Sequence, residues 1–292
     1  MKDTILNHES EIRLGLAVFV MLLIAVWELM APAQPLRMRR QVRWINNLGL
    51  ALMNMLMLRW IFPLAAVSSA LWAQSHEFGL FNQLKINDLT ALVAAIVLLD
   101  LAIWSQHVMM HTWPWLWRLH RVHHADPDFD FTTGSRFHPL EMLFSMILKM
   151  TTVALIGAPV LAVVIFEIIL NASAVFNHGN IHLHPSIETL LRRLIVTPAM
   201  HRVHHSQNPR ETNSNYGFFL SIWDHLFSTH HASPKQSMQI QIGIREHQEA
   251  SQVCHILGML ALPFVSAPSK PLHSVDAEVC NDHSPHKKLP HE

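Results

Sequence analysis

The sequence predicts an all-α integral membrane protein with about four transmembrane helices, or three plus a helical hairpin. A cytoplasmic helical cap is expected to hold a histidine-rich dimetal site. Three observations carry that expectation. Half of the 292 residues are hydrophobic and 14% are charged, against roughly 25% charged in ordinary soluble domains. Apolar runs of spanning length recur as far as Phe176. Twelve of the 23 histidines fall between His107 and His205, most of them three or four residues apart.

The elements follow in order. The first apolar run is Leu14 to Met30, followed by two prolines and no small-residue cleavage site, so it does not read as a cleavable signal. The second is Leu48 to Ala73, interrupted by Arg59 and Pro63. The third is Leu89 to Trp104, with Asp100 near its end. The fourth, Met142 to Phe176, contains Lys149 and Glu167. A crossing takes roughly 20 residues, so the fourth run is too long for one span and slightly short for two.

Loop charge sets the orientation. Four arginines lie in Leu36–Arg43, and one lysine lies in Gln74–Asp88. The positive-inside rule puts the arginine loop in the cytoplasm, as a topology signal rather than a lipid-specific site. The first histidine clusters then start at the cytoplasmic end of the third run. A single crossing by the fourth run would strand His178 and His201 on the other side. One shared centre therefore requires a hairpin, with helices at about 141–157 and 159–177 and a turn at Gly157-Ala158-Pro159. Lys149 would snorkel or mark a shallow, re-entrant hairpin.

Residues 183–251 are polar and read as the cap, helical around 186–205. Trp113, Trp115 and Trp117 stand where an interfacial aromatic belt belongs. Val253 to Val265 is too short to span and is expected to lie in the interface. From Ala267 the chain is rich in Pro, Ser and His and is expected to be disordered. The units are then 1–88, membrane helices; 89–251, a histidine-box catalytic domain; 252–266, an interfacial segment; and 267–292, a tail.

The chemistry sits in four clusters: His107/His111, His120/His123/His124, His178/His182 and His201/His204/His205. Neutral imidazole is the commonest metal ligand. Residues three or four apart share a helix face, so each cluster can aim two or three nitrogens at one point. Ten such nitrogens can hold two ions and leave positions for substrate oxygen or water. The repeated His-Arg-Val-His-His suggests one ligand set for each metal. Ligand type alone fits Fe, Zn, Cu and Ni, but a closed structural zinc site uses four ligands, so the number argues for a redox pair. Ligating histidines usually donate their other N–H to a carboxylate or carbonyl. Asp100, Asp224 and the run Asp126, Asp128, Asp130 are candidates for that role. His138 and His184 read equally as ligand, supporting donor or structural residue. His8, His76, His230, His231 and His247 read as surface or satisfied core histidines.

Several classes are disfavoured. Zero formal net charge gives no field for nucleic acid, and Cys254 and Cys280 make neither a disulfide framework nor a CxxC pair. There is no HExxH motif for a zinc hydrolase and no GxGxxG fingerprint. Adjacent HH doublets do not suit a di-haem cytochrome. A metal transporter would carry its ligands near the bilayer midplane, whereas these clusters sit at span ends. A histidine-rich metal-binding protein or transporter without oxygenase activity stands as the alternative.

The pattern of Asp100 followed by these four clusters resembles the fatty acid hydroxylase/sterol desaturase superfamily. The stretches Leu116–His124, Arg136-Phe137-His138-Pro139-Leu140-Glu141, Asn215-Tyr216-Gly217 and Trp223-Asp224-His225-Leu226-Phe227 strengthen the likeness. It covers about residues 95–230. His225 and Ser228 depart from the family pattern, which more often has a basic residue and glycine there. The resemblance implies a membrane di-iron oxygenase that hydroxylates or desaturates a lipid. It implies O2, external electrons, and the ten clustered histidines as ligands to two Fe ions. The substrate would be a fatty acyl, alkyl, sterol-like or carotenoid lipid. Electrons would come from a separate reductase or from a diffusible reductant such as a pterin.

Overall fold

The computed structural model describes residues 8–63, 65–232, 240–247 and 249–266. The tail from Ala267 onward lies outside these. The described residues are helical, with three isolated antiparallel bridges as their only β pairing. The long helices are α1 (Glu9–Met30), α2 (Arg40–Ile61), α3 (Ala65–Ser75), α4 (Asp88–Thr112), α5 (Pro114–His124), α6 (Pro139–Ile156) and α7 (Val160–Asn177). Two shorter ones, α8 (Pro185–Leu191) and α9 (Pro198–His204), follow, then α10 (Ile222–Leu226) and α11 (Ile256–Ala261).

Five stretches are long and apolar enough to cross a membrane: Glu11–Met30, Arg40–Gln83, Asp88–Thr112, Pro139–Ile156 and Val160–Asn177. The second apolar run is two helices, because Pro63 lacks the N–H that would continue α2. The fourth is two helices joined at Gly157-Ala158-Pro159. Gly157 takes a left-handed C-cap (φ 67°) that glycine adopts without a Cβ clash. Gly79 packs on this turn so closely that a Cβ there would lie 2.4 Å from the Gly157 nitrogen. Helices α6 and α7 go out and come back: Glu141 near the start of α6 and His178 just past α7 both reach the histidines.

Lys149 is paired with a carboxylate on the returning helix. Its ammonium lies 2.6 Å from Glu167, which also pairs with Arg13 at 2.9 Å. Three long helices are thus joined by charges that would otherwise be costly in hydrocarbon. The apolar core of this layer joins α3, α4, α6 and α7 through Ala70, Leu99, Val153 and Phe166.

The N-terminal segment also supports the histidine layer. Arg43 is not a loop residue. It lies in the first turn of α2, fully buried, and its guanidinium binds Asp126 at 2.8 and 2.9 Å and Asp130 at 2.5 Å. Asn47 adds bonds to Asp126 and Thr132. Asp128 accepts the backbone N–H groups of Arg37 and Met38. Glu28 accepts the N–H groups of Phe131 and Asn180.

Candidate metal centre

The histidines converge into two adjacent groups. His107, His111, His120, His124 and His204 form one; His123, His178, His201 and His205 form the other. Within each group, one nitrogen per residue lies within 4.8 Å of all the others. The C-terminal end of α4 supplies His107 and His111, and α5 supplies three rings. His201 and His204 lie on α9, with His178 and His205 at the ends of α7 and α9. Pro114 and Pro198 start their short helices, where the missing N–H costs nothing. Thr197 caps α9 through the Met200 N–H.

The two His-Arg-Val-His-His copies do not serve one group each. On a helix, residues i and i+4 differ by roughly 40° in direction, while i+3 points roughly 60° to the other side. His120 and His124 therefore enter the first group, and His123 crosses to the second. In α9, His201 and His205 enter the second group, and His204 crosses to the first. Each copy gives two rings to one group and one ring to the other.

Most first-group rings are held by their outer nitrogens. His107 Nδ1 lies 2.8 Å from the Tyr216 carbonyl, His204 Nδ1 2.7 Å from the Ser214 carbonyl, and His120 Nδ1 2.6 Å from Glu141 Oε1. His111 Nδ1 is a longer 3.4 Å from Asn213 Oδ1. In the second group, His178 Nδ1 donates to the Ala174 carbonyl at 2.7 Å. Carbonyl and carboxylate oxygens only accept, so these rings carry their proton on Nδ1 and turn the Nε2 lone pair inward.

This arrangement fits metal ions. His107 Nε2 and His120 Nε2 approach to 3.1 Å. Both are lone-pair acceptors, so their contact is repulsive unless a cation sits between them. The inner nitrogens of His111, His124 and His204 are buried without a protein partner. Burial pushes His123, His124, His201 and His205 well below the usual imidazole range, and neighbouring imidazoles add to this. Burial likewise lowers His178 to about 4 and His204 to about 3, against the opposing pull of their carbonyl bonds. These rings are neutral at ordinary pH, the form that binds metal. The described donors are all imidazole, a set that suits Fe, Zn, Cu or Ni.

Phe137 stacks on His123 at 4.5 Å and Phe129 lies 5.5 Å from His178, giving the site apolar walls. Trp117 packs on His111 and His124 at 5.0 and 5.4 Å; Trp113 and Trp115 are exposed.

Several expected residues lie elsewhere. His182 is exposed and joins neither group, because α7 ends at Asn177 and the helical spacing from His178 is lost. His138 caps α6 by accepting the Leu140 N–H, and its Nε2 faces the Leu260 carbonyl. His184 is exposed and caps α8. Asp100 binds no histidine or arginine; it accepts the Leu220 N–H and the Trp223 indole N–H. Asp224 accepts from Tyr216 N, Gly217 N, Trp104 Nε1 and Thr229 Oγ1, so it supports His107 through the Tyr216 carbonyl.

Asp126, Asp128 and Asp130 bind the arginines, backbone and hydroxyls around α2 instead of histidines. Burial pushes Asp126 upward, but Arg43 and Arg136 outweigh it and hold the carboxyl well below its usual range. The carboxylate that does hold a clustered histidine is Glu141, which spacing did not reveal. It lies 21 residues from His120, and only the start of α6 brings it there.

Residues 92–229 match the family model described as fatty acid hydroxylase. The ornithine lipid hydroxylase OlsE of Rhizobium tropici is 31% identical over 152 residues, covering 52% of this chain and 45% of that protein. The alkylglycerol monooxygenase of Homo sapiens is 27% identical over 144 residues, covering 48% and 30%. The cholesterol 25-hydroxylase of Rattus norvegicus is 24% identical over 213 residues, covering 72% and 68%. The chain thus spans less than half the length of the first two relatives. No solved structure matches it significantly.

Proposed function

Because residues 92–229 belong to the fatty acid hydroxylase family, we propose that this chain is an integral membrane oxygenase that hydroxylates a lipid C–H bond. One observation carries the reading: nine imidazoles, most of them fully buried, turn their nitrogens into two adjacent groups. His107, His111, His120, His124 and His204 would hold one iron; His123, His178, His201 and His205 would hold the other. Iron bound there supplies activation of O2 toward an unreactive C–H bond, with two electrons from a separate reductase or a diffusible reductant. The balance is one lipid C–H, O2, two electrons and two protons giving one lipid C–OH and one water.

The protein's own contribution is placement. Glu141 and the carbonyls of Tyr216, Ser214 and Ala174 fix ring orientation, so the inner nitrogens need no rearrangement on binding. Phe129, Phe137 and Trp117 exclude water beside the groups. Segment 89–251 carries this machinery, and 1–88 braces it through Arg43 and Glu28. The arginine-rich stretch 37–43 favours a cytoplasmic site. A lipid would slide from the bilayer between the apolar helices with its reacting carbon toward the histidines.

Hydroxylation is preferred to desaturation because the relatives are named hydroxylases and monooxygenases. Their names do not favour the storage or transport alternative. Mass spectrometry of lipids from cells with and without the gene tests the reading. A lipid gaining one oxygen atom is expected, and it should vanish in His123→Ala. Loss of two hydrogens instead would indicate desaturation, and an unchanged lipid profile would contradict oxygenation.

A further inference from the structure

We infer that α8, α10 and the chain around them form a second interfacial surface, inserted into the lipid beside α4 rather than standing in water as part of the cap. Leu190, Leu194, Ile222, Leu226 and Phe227 are each between 49% and 65% exposed. They lie on segments that are tied together: Ser221 N donates to the Leu194 carbonyl, Val196 N donates to the Phe219 carbonyl, and Ser221 Oγ donates to the Arg192 carbonyl. Apolar side chains gathered this way on a water-facing cap would be an association hazard.

The depth of the segment identifies what covers it. Leu220 N and Trp223 Nε1 both bind Asp100 Oδ2, at 3.1 and 2.8 Å. Asp100 on α4 stands four residues before Trp104, where the apolar run ends, or about 6 Å at 1.5 Å per residue. It lies inside the apolar run Leu89–Trp104. Phe227 stacks on Trp104 at 4.6 Å, and Phe218 packs against the core that contains Leu99, Ile103 and Phe166. Residues 218–227 are therefore level with part of a helix apolar enough to span, and their exposed side chains continue its surface.

Non-helical backbone is tolerated at such depth only where its polar groups are paired. Here Asp100, Asp224 and the paired chains around Leu194 and Phe219 supply the partners. The lipid class is a bilayer leaflet met edge-on, as an interfacial amphipathic element meets it. The apolar segment at α11 packs against α2 and α5 instead, so this second surface is separate from the one expected at 252–266.

The inference rests on α4 crossing the bilayer, and the test separates the two. Spin labels are placed one at a time at Leu194→Cys, Leu226→Cys, Val93→Cys and Arg210→Cys, in a Cys280→Ser background. The full chain is reconstituted in phosphatidylcholine–phosphatidylglycerol vesicles. Collision with O2 and with a water-soluble nickel chelate reads the depth of each label. Val93 reports the span, and exposed Arg210 reports the water-facing cap. The inference expects labels at Leu194 and Leu226 to meet the nickel chelate about fivefold less than the label at Arg210, close to the Val93 value. Water-like values at Leu194 and Leu226 with a lipid-like Val93 would overturn the insertion and leave the span standing. If those labels became protected only after a membrane extract was added, the surface would belong to a protein partner. A water-like Val93 would remove the span and the inference together.

Discussion

The two histidine groups are made from the same two sequence repeats, yet they are not built alike. In the five-histidine group, four rings have an outer nitrogen facing an oxygen: Tyr216, Ser214, Asn213 or Glu141. In the four-histidine group, among the described residues, only His178 is held this way, by Ala174, and the outer Nδ1 atoms of His123, His201 and His205 have no partner there. The first group is fixed before any ion arrives. The second leaves more to the ion itself, and it has one ligand fewer. The four-histidine position is therefore the better candidate for open coordination, and the five-histidine position for tight retention.

The largest test of this contrast removes one ring from each side. His204→Ala should strip metal from the five-histidine group, and His205→Ala from the other. Turnover should fall below detection in both. X-ray absorption or Mössbauer spectra of the two proteins should lose different components; identical spectral losses would mean the groups are not separate positions.

Replacing the one carboxylate support comes next. Glu141→Gln preserves size but weakens the hold on His120, and metal affinity at the five-histidine position should fall about 10- to 100-fold. Competition with a chelator measures this, and an affinity equal to wild type would leave Glu141 a purely structural residue.

Arg43→Ala leaves Asp126 and Asp130 buried without their main cation. Breaking such a pair costs about 3–5 kcal/mol, so thermal unfolding should move down markedly in detergent. Both groups should lose metal together, in contrast to the one-sided losses above.

The last test is acid, which acts on both groups at once. In the metal-free protein His178 titrates near 4 and His204 near 3, below their ordinary value of 6.5, because burial disfavours the charged ring. The unfolded chain then binds protons first, so stability is full above 6.5 and declines as pH falls toward 4. Denaturant titration between those values should show a steady loss in the apoprotein and a smaller one after metal loading. A pH-independent apoprotein would mean that these rings are solvated.

Much of this was legible in the sequence, for definite reasons. The hairpin follows from the need to bring His178 and His201 to the side of His107, with Gly157 and Pro159 marking the turn. The convergence of nine histidines follows from repeated helical spacing. What stayed hidden depends on relations between helices. The split of His123 from His120 and His124 depends on how α5 and α9 face each other. Glu141 reaches His120 only because α6 starts beside α5. The pairing of Lys149 with Glu167 required knowing which faces of α6 and α7 meet. His182 stands outside both groups because the chain leaves the helix at Asn177, a boundary that histidine spacing does not encode. Asp100, a candidate acceptor for a clustered histidine, is taken by Trp223 and Leu220, which arrive from a distant segment.

The most direct measurement is the iron content of the purified chain and of His182→Ala, read with Mössbauer spectroscopy. Two irons per chain in two inequivalent environments are predicted for both proteins. One iron or none, zinc in their place, or loss of an iron with His182→Ala would contradict the assignment of nine histidines to two positions.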